Sequence, residues 1–236
     1  MREESLENGL RINVKKTKTM IIRRDIKDGS KVNISVEGRP LEQVESYVYL
    51  GQLITEDGRE IRRRIEIARK EFINMKNILT SRKLNIETRK RIIRCYILST
   101  FLYALETWTI DKENWKRIEA FEMWMLRRMM KISYTEHVSN EEVLRRTNSK
   151  RTLKSEIIRR KLQYFGHVVR GERLQRRLLD GQVEGTRGRG RPRRTWMTDI
   201  KETTGKKYAE CVRTVQRRER LQHILMADGY NRATIR

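Results

Sequence analysis

The stretch from Tyr96 to Leu105, which reads YILSTFLYAL, decides the fold. It is apolar almost all round, and that is typical of a helix at the buried centre of a bundle. Shortly before it, Asn85 is a suitable N-cap, and Glu87 lies in the first turn that would follow. We therefore predict a helix that begins after Asn85 and continues into a buried central segment.

Amphipathic helices are predicted on both sides of this segment. On the N-terminal side, apolar residues recur at steps of three and four from Ile61 to Leu79, which places them on one helical face. The opposite face is basic and includes Arg62, Arg63, Arg69 and Lys70. On the C-terminal side, a third apolar stripe runs from Trp115 to Ile132. We expect the three helices to pack as one subdomain over residues 58–133.

The residue pattern before this subdomain differs from the pattern after it. Residues 1–57 contain three short β-branched stretches, at Lys18 to Arg24, Lys31 to Val36 and Ser46 to Ile54, and we read each as one strand. Residues 134–236 contain further helices and a flexible Arg/Gly linker over residues 185–194. The predicted fold class is α+β and predominantly α: a small β region, a helical bundle and a basic helical C-terminal region.

The charge balance indicates a polyanionic partner. Lys and Arg number 55 against 31 Asp and Glu, which gives a formal net charge of +24. Such a surface repels itself unless a polyanion neutralises it, and nucleic acid is the polyanion that releases counterions on binding. The sequence shows neither an amphipathic anchor nor a lipidation signal for an anionic membrane. We therefore expect RNA and DNA as partners, no membrane, and an intracellular, nuclear protein.

Two groups of basic residues are the candidates for these contacts. The first is the linker, whose arginines are Arg187, Arg189, Arg191, Arg193 and Arg194. Its Arg-Gly-Arg-Pro core would either read a narrow A·T minor groove or act as a tether that contacts phosphates of any sequence. The second group is Arg159, Arg160 and Lys161, next to Tyr164 and Phe165, which would either stack on bases or pack in the core.

The sequence predicts no catalytic site and no metal or cofactor. His137, His167 and His223 have no second ligand at metal-binding spacing, and Cys95 and Cys211 stand alone. Two-metal polymerases and nucleases need clustered carboxylates, and this chain has no Asp-Asp pair. We expect a binding protein and not an enzyme.

Several sequence blocks, in order, resemble the C-terminal end of the reverse transcriptase of non-LTR (LINE-type) retrotransposons. They are Gly9 to Lys18, Tyr49 to Gly51, Leu102 to Trp108, Arg127 to Arg146, Gly166 to Val168, and Gly188 to Ile200. Ala104 departs from the pattern, because the family's thumb signature has glycine at that position. The resemblance covers nearly the whole chain.

The resemblance implies a role for each part. Tyr49, Leu50 and Gly51 would form the primer-grip hairpin, Lys16 would match the palm lysine near the incoming nucleotide, and residues 58–133 would be the thumb. The family's catalytic aspartates, which bind Mg²⁺ in an intact polymerase, would lie upstream of Met1, so we expect no polymerisation. Alternatives are a truncated gene prediction of an active enzyme, a pseudogene product that does not fold, and a domesticated helical interaction protein.

Overall fold

The chain is predominantly helical with a small β region, which confirms the predicted fold class. The computed structural model describes residues 7–9, 12–22, 32–36, 38–55, 59–149, 153–171, 174–182 and 194–216. The chain divides into two compact units, Met1–Arg63 and Arg64–Arg236. The division into three domains, residues 1–57, 58–133 and 134–236, stays a prediction.

The first unit contains the β structure. Its strands are β1 (Lys18–Thr19), β2 (Ser35–Val36), β3 (Arg39–Pro40), β4 (Glu42–Gln43), β5 (Ser46–Tyr49) and β6 (Gln52–Thr55). They form two-stranded pairs: β1 with β4 in parallel, and β2 with β3 and β5 with β6 antiparallel. Because no described pair grows into a larger sheet, this unit offers the exposed strand edges that small β structures have.

The reading of Ser46 to Ile54 as one strand was wrong, because this stretch is a hairpin. Leu50 and Gly51 both have positive φ, 48° and 77°, and they connect β5 to β6. Positive φ at both central residues is the geometry of the two-residue turns that match strand twist. The first two predicted strands are also shorter than expected, at Lys18–Thr19 and Ser35–Val36, while residues 23–31 lie outside the described part.

The second unit contains most of the helical structure. The helices are α1 (Glu60–Asn74), α2 (Lys76–Leu79), α3 (Ile86–Ile92), α4 (Ser99–Phe101), α5 (Lys112–Met130), α6 (Asn140–Arg146), α7 (Leu153–Arg170), α8 (Leu174–Leu179), α9 (Trp196–Thr204) and α10 (Tyr208–Gln216). Helix α1 begins within the first unit and continues into the second. The predicted cap is confirmed, since the Asn85 side chain accepts a hydrogen bond from the Thr88 N–H at 2.7 Å.

The central segment is buried on one side only, contrary to the expectation of an apolar helix buried all round. Between α3 and α4 the chain forms a π-helix, Ile93–Leu98. Ile97, Phe101 and Leu105 are fully buried, whereas Tyr96 is 61% exposed. Tyrosine tolerates this placement because its hydroxyl remains in water. Ala104, at φ 55°, ends the helical run.

A cluster of buried side chains joins α7 to the C-terminal helices α9 and α10. Leu162, Phe165 and Val169 of α7 pack with Ile200 of α9 and with Cys211 and Val215 of α10. Phe165 is therefore a core residue and not a stacking platform, while Tyr164 packs edge-on against Trp196 at 6.1 Å between ring centroids. Among the described residues, no helix is both long and apolar enough to cross a bilayer.

Candidate nucleic-acid interface

Of the five linker arginines, Arg194 alone falls in the described part of the chain. Arg187, Arg189, Arg191 and Arg193 lie outside the described residues. The Arg194 guanidinium is half-buried and pairs with Asp199 at 2.7 Å and with Glu202 at 2.5 Å. The Glu202 carboxylate, followed by Asp199, raises the pKa of Arg194 above its usual range. Arg194 thus anchors the end of the linker to α9, and its charge is neutralised by the protein itself.

Lys161 does not join an exposed basic cluster, which corrects the sequence expectation. Its side chain is 2% exposed, and its ammonium donates to the Asp199 carboxylate and to the Trp108 carbonyl. Burial lowers the pKa of Lys161, while the bond to Asp199 opposes that shift. Helix α7 turns this residue inward because Leu162 and Phe165, one and four positions further on, line the core face. Lys161 holds helices together and cannot reach a nucleic acid in this fold.

Arg159 and Arg160 are half-buried and share one carboxylate. Arg159 donates to Glu156 at 2.6 Å and 2.9 Å, and Arg160 donates to it at 2.9 Å. Burial raises the pKa of Glu156, but the hydrogen bonds and charges of the two arginines together lower it by more, so the pKa of Glu156 lies below its usual value. Arg160 also lies 3.9 Å from Glu106. The two guanidinium charges are therefore largely balanced within the protein.

The hairpin tip and Lys16 are exposed, as a contact role requires. The backbone N–H of Lys16 donates a hydrogen bond to the side-chain oxygen of Asn13, three residues earlier, at 3.2 Å, and Lys16 itself is exposed. At the tip, Tyr49 is 58% and Leu50 is 73% exposed. The Gly51 carbonyl accepts a hydrogen bond from Arg63 at 3.2 Å, and Glu60 of the same helix accepts the Leu53 N–H at 3.1 Å. These two bonds tie the turn and β6 to the first turn of α1.

Leu50 carries backbone strain that asparagine or glycine at the same turn position would reduce. A non-glycine residue in the left-handed region is unusual, and asparagine is the common choice at such a turn position. Here a large apolar side chain occupies that position and remains exposed. Strain of this kind is retained at ligand-contact sites more often than elsewhere. The tip is therefore a candidate contact surface.

A basic aromatic cluster on α1 and α5 was missed by the sequence reasoning. The Trp124 ring lies 5.5 Å from the Arg69 guanidinium carbon and 5.0 Å from that of Arg128. The i, i+4 spacing of Trp124 and Arg128 on one helix is a sequence signal from which the contact between these two residues could have been predicted. The contribution of Arg69 comes from another helix and leaves no trace in local sequence.

Several exposed basic residues have no carboxylate within ion-pair distance in the described part of the chain. They are Arg62, Lys70, Arg91, Arg128 and Lys131. Their charge is thus not balanced as that of Arg159 or Arg194 is. The described residues also include no group of three or more His, Cys, Asp or Glu placed to hold a metal ion.

The comparisons with known proteins point to a mobile genetic element. The chain is 30% identical over 175 residues to an uncharacterized transposon-derived protein of Caenorhabditis elegans. The match covers 70% of this chain and 61% of that protein, so the chain spans about three fifths of its length. No family model and no solved structure matches. The likeness supports a transposable-element origin for this predominantly helical, strongly basic protein.

Proposed function

We propose that this chain binds the nucleic acids of a non-LTR retrotransposon, as the thumb and basic C-terminal region of its reverse transcriptase. The observation that carries the proposal is the net charge of +24, part of which lies on exposed residues with no acidic partner in the described chain. Each cation that meets a phosphate releases condensed counterions, which favours binding without any base sequence. The ordered sequence blocks and the transposon-derived relative support the retrotransposon assignment.

A salt titration tests the binding. Four labelled probes would be used: an RNA–DNA hybrid, a structured RNA, and A·T-rich and G·C-rich duplex DNA. We expect a steep slope of log K against log salt, near −0.9 for each phosphate contact, and a preference for the hybrid or the structured RNA. Loss of binding to every probe at physiological salt would contradict the proposal and favour an interaction protein.

The linker is tested separately, and Arg194 provides the control. We propose that Arg187, Arg189, Arg191 and Arg193 contact phosphates or the minor groove. Replacing these four with serine should flatten the salt slope by roughly 3 to 4. Arg194→Ser should leave the slope unchanged, because its charge is already paired with Asp199 and Glu202. A four-arginine variant with the wild-type slope would remove the linker from the interface.

We further propose that the isolated chain does not polymerise. The reaction needs carboxylates that hold two metal ions close together, and this chain has no paired aspartates in its sequence. Incubation of the purified chain with Mg²⁺, dNTPs and a primed RNA template should yield no extended primer. Template-directed extension would overturn this part of the proposal and leave the binding part standing.

A further inference from the structure

The cluster formed by Arg69, Trp124 and Arg128 brings two guanidinium groups to one aromatic ring. Helix α1 supplies Arg69, and helix α5 supplies the other two residues. Trp124 itself is fixed in place, because Phe72 meets it edge-on at 5.1 Å and Phe121 stacks near it at 6.2 Å. Phe72 and Phe121 are fully buried core residues. The ring is therefore a rigid base on which the two arginines rest.

The charge of this cluster is incompletely balanced. Arg69 pairs with Glu66 at 3.0 Å, but its buried Nε has no hydrogen-bond partner among the described residues. Arg128 is exposed, and no described carboxylate or carbonyl accepts from it. Lys131, one turn further along, is also exposed. Two cations on one ring with a single carboxylate leave a net positive charge that an anion would stabilise.

We propose that this cluster is a phosphodiester-binding site, at which Arg128 meets a phosphate of the nucleic-acid backbone. The inference rests on the proposed nucleic-acid binding and assigns a defined contact to it. A guanidinium has paired N–H donors in a planar fork that fits two phosphate oxygens, and it remains charged at every working pH. Resting on the indole through a cation–π contact, it is held in place before the ligand arrives.

A backbone phosphate fits this cluster better than a base or an acidic peptide does. A base would need an open aromatic face, whereas two guanidinium groups already lie against the Trp124 ring. Glu66 already pairs with Arg69 and opposes a peptide carboxylate and a phosphate alike, so the preference for a phosphate rests on the proposed nucleic-acid binding, which the net charge of +24 supports. Phosphate contacts carry no sequence information, so the site should act equally on all sequences.

The test compares three single variants by salt titration on the RNA–DNA hybrid and on both DNA duplexes. Arg128→Gln should weaken binding to all probes by a similar factor and reduce the salt slope by about 1. Arg128→Lys keeps the charge but loses the planar fork and the stacked geometry, so it should recover only part of the affinity. Arg117→Gln, on the same helix α5, is the matched control, because Glu113 already pairs with that guanidinium, and its slope should stay close to that of the wild type.

The outcomes separate the two proposals. If the wild type binds and Arg128→Gln behaves as Arg117→Gln does, the site is wrong while nucleic-acid binding stands. Full recovery by Arg128→Lys would reduce the cluster to surface charge and overturn the built site. Competition by polyglutamate as effective as that by an oligonucleotide of equal charge would assign the cluster to acidic proteins instead. If the wild type binds no probe at physiological salt, both proposals fall.

Discussion

At the scale of single residues, Asp199 connects three segments of the second unit. Its carboxylate accepts from the Ile110 N–H at 2.9 Å, from Lys161 and from Arg194. Asp199 and Lys161 are both buried, so each charge depends on the other to offset its desolvation. These bonds connect α9 to α7 and to the segment that precedes α5.

Removal of one partner should therefore destabilise the fold strongly. We expect Lys161→Met to lower the free energy of unfolding by about 3 kcal/mol, because it leaves a buried carboxylate with fewer donors. Lys201→Met, at an exposed position of α9, is the control and should change stability by less than about 0.5 kcal/mol. Urea unfolding monitored by circular dichroism measures both. Equal midpoints for the two variants would mean that the pair adds nothing to stability.

Glu122 makes stability depend on pH. Its carboxylate accepts the Leu153 N–H at 2.5 Å, at the start of α7. Burial, opposed by that hydrogen bond and reinforced by Glu119, raises the pKa of Glu122 to about 7 from 4.5. Between these values the native state holds a proton that the unfolded chain has released. The contribution of protonated Glu122 to the free energy of unfolding is therefore fully present below pH 4.5 and is lost as the pH rises through 7.

Glu122→Gln removes this dependence. The stability of the wild type relative to the variant should fall by about 3 kcal/mol in total as the pH rises from 4 to 8. Urea unfolding at several pH values measures the difference, and Glu113→Gln, at an exposed site on the same helix, should show no comparable trend. A constant difference between wild type and Glu122→Gln would show that the pKa of Glu122 is the same in the native and the unfolded state.

At the scale of elements, the central helical run ends at a residue that is strained there. Ala104 has φ 55°, in the left-handed region, and glycine stands at this position in the thumb signature that the sequence resembles. A left-handed backbone costs an L-residue roughly 1–2 kcal/mol, which glycine avoids. The end of the run is fixed nonetheless, because Leu105 and Trp108 on its far side are buried.

Ala104→Gly should therefore stabilise the protein. We expect a gain of about 1 kcal/mol after the added freedom of the unfolded chain is subtracted. Ala120→Gly is the matched control, since Ala120 is exposed in the middle of α5, and it should cost about 1 kcal/mol. The two variants thus make the same chemical change with opposite expected signs in thermal unfolding. A loss of stability at both sites would mean that Ala104 is not strained.

The elements that the sequence predicts well are those set by local rules. The Asn85 cap depends on groups within three residues of each other. The strand pattern alone predicted one strand where β5 and β6 form a hairpin, because the turn is Leu-Gly, without the asparagine or aspartate that usually marks such a turn; a hairpin was expected there only from the family resemblance. The burial of Lys161 was missed because its partner Asp199 lies 38 residues further along the chain.

At the scale of the whole molecule, charge opposes folding while it favours binding. A net charge of +24 on 236 residues repels itself, and part of the positive charge lies on exposed residues without a described acidic partner. Salt screens this repulsion from a distance of about 10 Å at 0.1 M. A polyanion that binds the folded state more tightly than the unfolded chain would do more, because it would place negative charge in contact with those residues.

Nucleic acid should therefore raise the unfolding temperature more than salt does. With an RNA–DNA hybrid at 100 times its dissociation constant and no affinity for the unfolded chain, the added stability reaches about 2.7 kcal/mol, and binding to the unfolded chain reduces it. For a chain of this size that corresponds to a shift of roughly 5–10 °C. Differential scanning fluorimetry with hybrid, with polyglutamate of equal charge and with NaCl of equal ionic strength measures the three effects. If NaCl alone reproduces the shift, the charge acts only through self-repulsion, and no contact between folded protein and phosphate contributes to stability.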